Sequence, residues 1–134
     1  MGREAISSTT GKTSGRRPTL SHDQIRERSS TEFVREAVDG IEAWLNDLGV
    51  RGLEVQHFRG THHSIYVAGR WLGGYYFARF WVHFWLLERR PSDEELKGLS
   101  DVSSLRLEQN RVSGNLQSDS DLDLYRVAVK ARLE

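Results

Sequence analysis

The sequence predicts an α+β domain: an antiparallel sheet, built from a three-stranded meander and a second hairpin, with flanking N- and C-terminal helices on one face. Three observations carry this. Apolar residues recur at intervals of three and four between Val34 and Leu48. Strand-forming and aromatic residues crowd positions 53–87 between short turns. The chain then closes on "SDSDLDLYRVAVKARLE", acidic at its start and basic at its end.

The opening "MGREAISSTTGKTSGRRPTL" is rich in Ser, Thr and Gly and nearly free of large apolar groups. Such a stretch buries too little to offset its ordering entropy. Residues 1–28 are therefore expected to be a flexible polar tail, with Ser21 to Arg28 permitting a helical turn, and residues 29–134 a single domain. Val34, Ala37, Val38, Ile41, Trp44, Leu45 and Leu48 make one stripe of an amphipathic helix. Ser29 with Glu32 fits a capping box, and Gly49 fits the C-terminal stop. The opposite face, Glu32, Glu36, Asp39 and Glu42, is expected to be solvated.

"LEVQHF" (Leu53 to Phe58), "SIYVAGRW" (Ser64 to Trp71) and "GGYYFARFWVHFWLL" (Gly73 to Leu87) read as the meander. Gly73-Gly74 suits a two-residue hairpin turn, whose central positions take positive φ. That turn sets a register. Trp71 faces Tyr76, Val67 faces Phe80 and Ile65 faces Val82 on an apolar face that helices cover, continued by Phe84. On the other face Arg70 meets Phe77, Tyr66 meets Trp81, Ser64 meets His83 and His62 meets Trp85, with Ala68 beside Arg79. Next, "SDEELKG" opens a short helix through a capping box of Ser92 and Glu95. "SSLRLE" and "RVSGNLQ" form the second hairpin, and the closing segment reads as a helix with its charges aligned to the dipole, although its alternation also permits a strand.

Lys and Arg number 19, as do Asp and Glu, so net charge selects no partner. Its distribution is more informative: Arg51 to Arg90 holds six Arg and four His against Glu54 and Glu88. The basic charge coincides with the aromatics, of which Gly73 to Leu87 alone holds seven. The absence of cysteine removes disulfides and thiolate chemistry. No secretory signal is visible and the aromatic run is too short to span a bilayer. A cytoplasmic protein without membrane association is the expectation.

The second face of the aromatic strand is the candidate site, formed by Tyr66, Arg70, Arg79, Trp81, His83, Trp85 and Arg59. Three occupants fit it. The chain itself can cover it. Nucleic acid can bind by stacking bases on the aromatics while the cations meet phosphates. A protein partner, or a second copy in a homodimer, can use the same Trp, Tyr and Arg anchors. Nucleic acid leads among the ligands because arginine and aromatic residues coincide.

His57, His62 and His63 offer three imidazoles around the first turn. Their spacing matches no standard ligand pattern and no carboxylate lies near in sequence, so an exposed loop is expected, with no metal and no cofactor. "PSDEELK" echoes the Pro-Asp…Glu-x-Lys signature of a nuclease superfamily, but on a helix start rather than on strands. No catalytic motif appears, and a non-enzymatic binding module is the expectation.

With "GIEAWLNDLG", "SIYVAGRWLGGYYFARFWVHFWLL" and "SDLDLYRVAVKARL" in this order, the chain resembles small MmcQ/YjbR-like and related uncharacterised bacterial α+β domains. That resemblance implies DNA binding. A departure is the second hairpin, which holds only Arg106 and Arg111 against Glu108. The element order is also similar to type III secretion chaperones and their YbjN-like relatives, which implies binding of protein segments.

Overall fold

The computed structural model describes residues 18–87, 93–108 and 110–133. Within them the chain begins to pack earlier than its composition suggests. Ser21 caps a short helix α1 (His22–Arg28) through a reciprocal box with Gln24, and Ile25 on this helix is fully buried in the core. Leu20 N–H donates to the Gly60 carbonyl and Gly60 N–H to the Pro18 carbonyl, pinning the strap before α1 to the sheet. Residues 18–28, expected to belong to the polar tail, are thus packed on the domain. Residues 1–17 lie outside the described residues.

Helix α2 (Glu32–Asp47) buries the stripe read from its periodicity, with Trp44 and Leu48 at its margin. Its cap is Thr31, whose Oγ1 accepts the Val34 N–H at 3.2 Å. Ser29, expected in that role, instead donates its hydroxyl to the Ile25 carbonyl, because α1 stands immediately before it. Gly49, at φ +65, ends the helix as expected.

Six antiparallel strands follow, β1 (Leu53–Phe58), β2 (His62–Val67), β3 (Arg70–Phe77), β4 (Val82–Leu87), β5 (Ser103–Glu108) and β6 (Arg111–Leu116), in the spatial order β1-β2-β3-β4-β6-β5. The α+β class, the second hairpin and the terminal helices stand as predicted. The meander differs. The turn falls at Ala68-Gly69, both at positive φ (+51 and +81), and not at Gly73-Gly74. The aromatic run divides into β3 and β4 at Ala78 to Trp81, where Ala78 N–H meets the Trp81 carbonyl. No glycine, proline, asparagine or aspartate marks that turn. Tertiary contact holds it: Ser30 N–H, at the start of α2, donates to the Arg79 carbonyl.

The predicted pairs of the aromatic strand change accordingly. Ile65 faces Gly73, Val67 faces Arg70, and Tyr66 faces Trp71, with a register shift between Ile65 and Tyr66. Phe80, placed in the core by the expected register, is exposed in the β3–β4 turn, while Phe77 is buried. Ile65, Val82 and Phe84 do face the helices and are fully buried.

Helix α3 (Asp93–Leu99) contributes Leu99 to the core. Ser92 of its proposed capping box lies outside the described residues. Helix α4 (Asp119–Leu133) settles the ambiguity of the closing segment: Leu122, Tyr125, Ala128 and Val129 are its buried face, a helical spacing. Tyr125 packs its ring 5.1 Å from Phe84, and its hydroxyl is buried without a hydrogen-bond partner among the described residues. Burial correspondingly raises the Tyr125 pKa. Tyr125→Phe removes the orphaned hydroxyl, whose desolvation costs about 1–3 kcal/mol. Urea melts are expected to show unchanged or higher stability, and a clear loss would mean that the hydroxyl is partnered.

Candidate functional site

Strand alternation sends one set of side chains to the helices and the other to the open face. On the open face the register aligns Phe58, His62, Tyr76, His83 and Asn115 across five strands. Ring centroids along this row stand 5.4 Å (Phe58–His62), 4.9 Å (His62–Tyr76) and 4.9 Å (Tyr76–His83) apart. His83 is fixed by donating Nδ1–H to Asn115 Oδ1 at 2.7 Å. His62 Nδ1 donates to the Arg59 carbonyl at 3.0 Å, tying the ring to the loop that carries Arg59.

The next row is Gln56, Ser64, Gly74, Trp85 and Ser113. Its residues flanking Trp85 are small, which lets the indole lie down. A Cβ on Gly74 would stand 2.6 Å from Trp85 Cζ2. Trp85 is only 7 % exposed and forms a floor, with the Arg111 guanidinium 5.9 Å above its ring centroid. Around it opens a groove of about 530 Å³, rimmed by Tyr66, Trp71, Arg59 and Arg111. Among the described residues the lining includes two arginines and two histidines and no carboxylate. By register, two acids among the described residues border the groove: Glu54, across from Tyr66 on the β1–β2 ladder and 3.5 Å from Gln56 Nε2, and Glu108, across from Arg111 on the β5–β6 ladder.

Four of the seven predicted site residues, Tyr66, His83, Trp85 and Arg59, meet in this groove. The other three do not. Arg70 begins β3 and Arg79 follows its end, so they stand at opposite ends of the strand, and Trp81 is half-buried in the β3–β4 turn. Gln56, Phe58, Trp71, Tyr76 and Arg111 enter the groove instead. Placing the hairpin turn at Ala68-Gly69 would have found Trp71 and Tyr76. Arg111 depends on the pairing of β4 with β6, a nonlocal contact with no signal in the sequence.

The histidines expected on an exposed loop sit on paired strands. His62 faces the groove, while His57 and His63 lie opposite each other on the helix side, rings 4.3 Å apart. The acidic helix face meets them there. Glu42 Oε1 is 2.6 Å from His57 Nε2 and 3.6 Å from His22 Nε2, and His22 Nε2 is 3.4 Å from His63 Nε2. His22 Nδ1 donates to Asp39 at 2.8 Å and His63 Nδ1 to the Thr61 carbonyl at 2.9 Å. The solvated-face expectation thus fails for Glu42, which is half-buried against His57, while Asp39 stays exposed as it pairs with His22 and Arg26. Burial, opposed by the Thr61 hydrogen bond and aided by the nearby imidazoles, lowers the His63 pKa to about 4. Burial tends to raise the Asp39 pKa, but the His22 hydrogen bond and the Arg26 charge outweigh it and lower it.

These features define a class: an α+β layer with helices on one face of a six-stranded sheet and an aromatic, basic groove on the other. No protein family, curated protein sequence or solved structure matches the chain. No helix among the described residues is long and apolar enough to cross a membrane.

Proposed function

We propose that this chain is a non-enzymatic binding module that takes single-stranded nucleic acid on its open sheet face. The observation that carries the reading is the composition of the groove, where aromatic rings and two arginines converge and no described lining residue is a carboxylate. Bases stack on the accessible rings of Tyr66 and Trp71, and Arg59 and Arg111 meet phosphates on either side. Each stacked base contributes about 1–3 kcal/mol. Aromatic side chains borne on a sheet are a common way of reading unstacked bases.

Titration of labelled single-stranded DNA and RNA oligonucleotides tests this. Trp71→Ala is expected to weaken binding by about 1–3 kcal/mol with little effect on stability, since Trp71 is 45 % exposed. Arg59→Ala with Arg111→Ala should flatten the slope of log K against log salt by about 1.4, at roughly 0.7 for each single-strand phosphate contact. No binding by the wild type at low salt, or an unchanged slope in the double variant, would overturn the assignment. A copurifying protein that resists nuclease and moderate salt would transfer the groove to a protein partner.

A further inference from the structure

We propose that His22, Glu42, His57 and His63 form a binding site for a divalent transition-metal ion, zinc foremost, on the helix side of the sheet edge. One ligand atom from each residue lies within 4.8 Å of all the others. Nearest-neighbour separations of 3.4 Å (His22–His63) and 3.6 Å (His22–Glu42) sit close to the edge of a zinc tetrahedron. With metal–ligand bonds near 2.0–2.1 Å that edge is about 3.3 Å. His57 and Glu42, at 2.6 Å, share a hydrogen bond and must part by less than an ångström to admit the ion.

The surroundings are those a metal-ligating histidine needs. A ligating ring normally gives its other N–H to a carboxylate or a backbone carbonyl, which fixes its tautomer and orientation. His22 does so to Asp39 and His63 to Thr61, leaving Nε2 of each directed at the cluster centre. Three neutral imidazoles and one carboxylate suit zinc and its late first-row neighbours, and are a poor set for calcium or magnesium.

The ligands come from α1, α2, β1 and β2, one from each. Four protein ligands leave no open position, the arrangement of a structural rather than a hydrolytic zinc site. The ion would join α1 to the long helix and to the two outer strands. This site lies on the opposite side of the sheet from the groove and does not depend on the groove's occupant.

The test is titration of chelator-treated protein, free of any polyhistidine tag, with Zn²⁺ by calorimetry and with Co²⁺ by visible absorption. Expected are one ion per chain, a dissociation constant in the micromolar range or below, the intense visible bands of four-coordinate cobalt, and a metal-dependent rise in Tm. His57→Ala and Glu42→Gln should each weaken Zn²⁺ binding at least a hundredfold and abolish the rise in Tm. Asp39→Asn leaves all four ligands in place and should weaken binding tenfold to a hundredfold, as loss of a ligand's hydrogen-bond partner does. Glu42→Gln is nearly isosteric at a partly exposed side chain, so it carries the test if His57→Ala does not fold. Failure of the wild type to bind one ion, a six-coordinate cobalt spectrum, or wild-type affinity in Glu42→Gln would each overturn the proposal.

Discussion

Phe84→Ala is expected to lower the stability of the protein by about 3–5 kcal/mol, the usual range for truncating a fully buried phenylalanine. Phe84 is fully buried against Tyr125, and a loss of that size is a large share of a typical domain's 5–15 kcal/mol. Phe80→Ala, four residues earlier, is expected to stay within about 0.5 kcal/mol, as surface substitutions do, because Phe80 is 54 % exposed. Urea melts of the pair distinguish two registers of one aromatic run. If a single strand ran from Gly74 to Leu87, strict alternation would bury both side chains, and both variants would be strongly destabilised. That result would refute the turn at Ala78 to Trp81.

Gly74→Val is expected to cost more than about 3 kcal/mol, beyond the ordinary overpacking range of about 1–3. The added Cβ would stand 2.3 Å from the His63 carbonyl oxygen and 2.6 Å from the Trp85 ring. The first neighbour is backbone within the sheet and cannot step aside. Adding Trp85→Ala should therefore leave most of the loss in place, because it clears only the second contact. Gly40→Ala provides the contrast: nothing lies within 4 Å of its Cβ, and a mid-helix alanine should raise stability by about 0.5–1 kcal/mol. Recovery of full stability in the Gly74→Val, Trp85→Ala double variant would show that the indole alone opposes a side chain here.

Much of this was legible before folding. Helix α2 follows from an apolar stripe at intervals of three and four, a local property that the 3.6-residue repeat converts directly into one buried face. β1, β5 and β6 follow from short strand-forming runs between turns. The concentration of cations and rings on one side of the sheet was also visible, and Tyr66, His83, Trp85 and Arg59 do gather there.

What the tertiary structure alone decided is where the aromatic run bends and what its neighbours across space are. Gly73-Gly74 carries a strong turn signal, yet both glycines lie within β3, because adjacent backbone and the Trp85 indole occupy the space of their Cβ atoms. The actual turns, at Ala68-Gly69 and Ala78 to Trp81, are held by strand pairing and by the start of α2. The histidine cluster was hidden for a related reason. His57 and His63 are six residues apart, but Glu42 and His22 arrive from two helices fifteen and thirty-five residues before His57. Sequence spacing can announce ligands that share one helix or one turn. It carries no mark of four side chains that converge only when two helices close over a sheet edge.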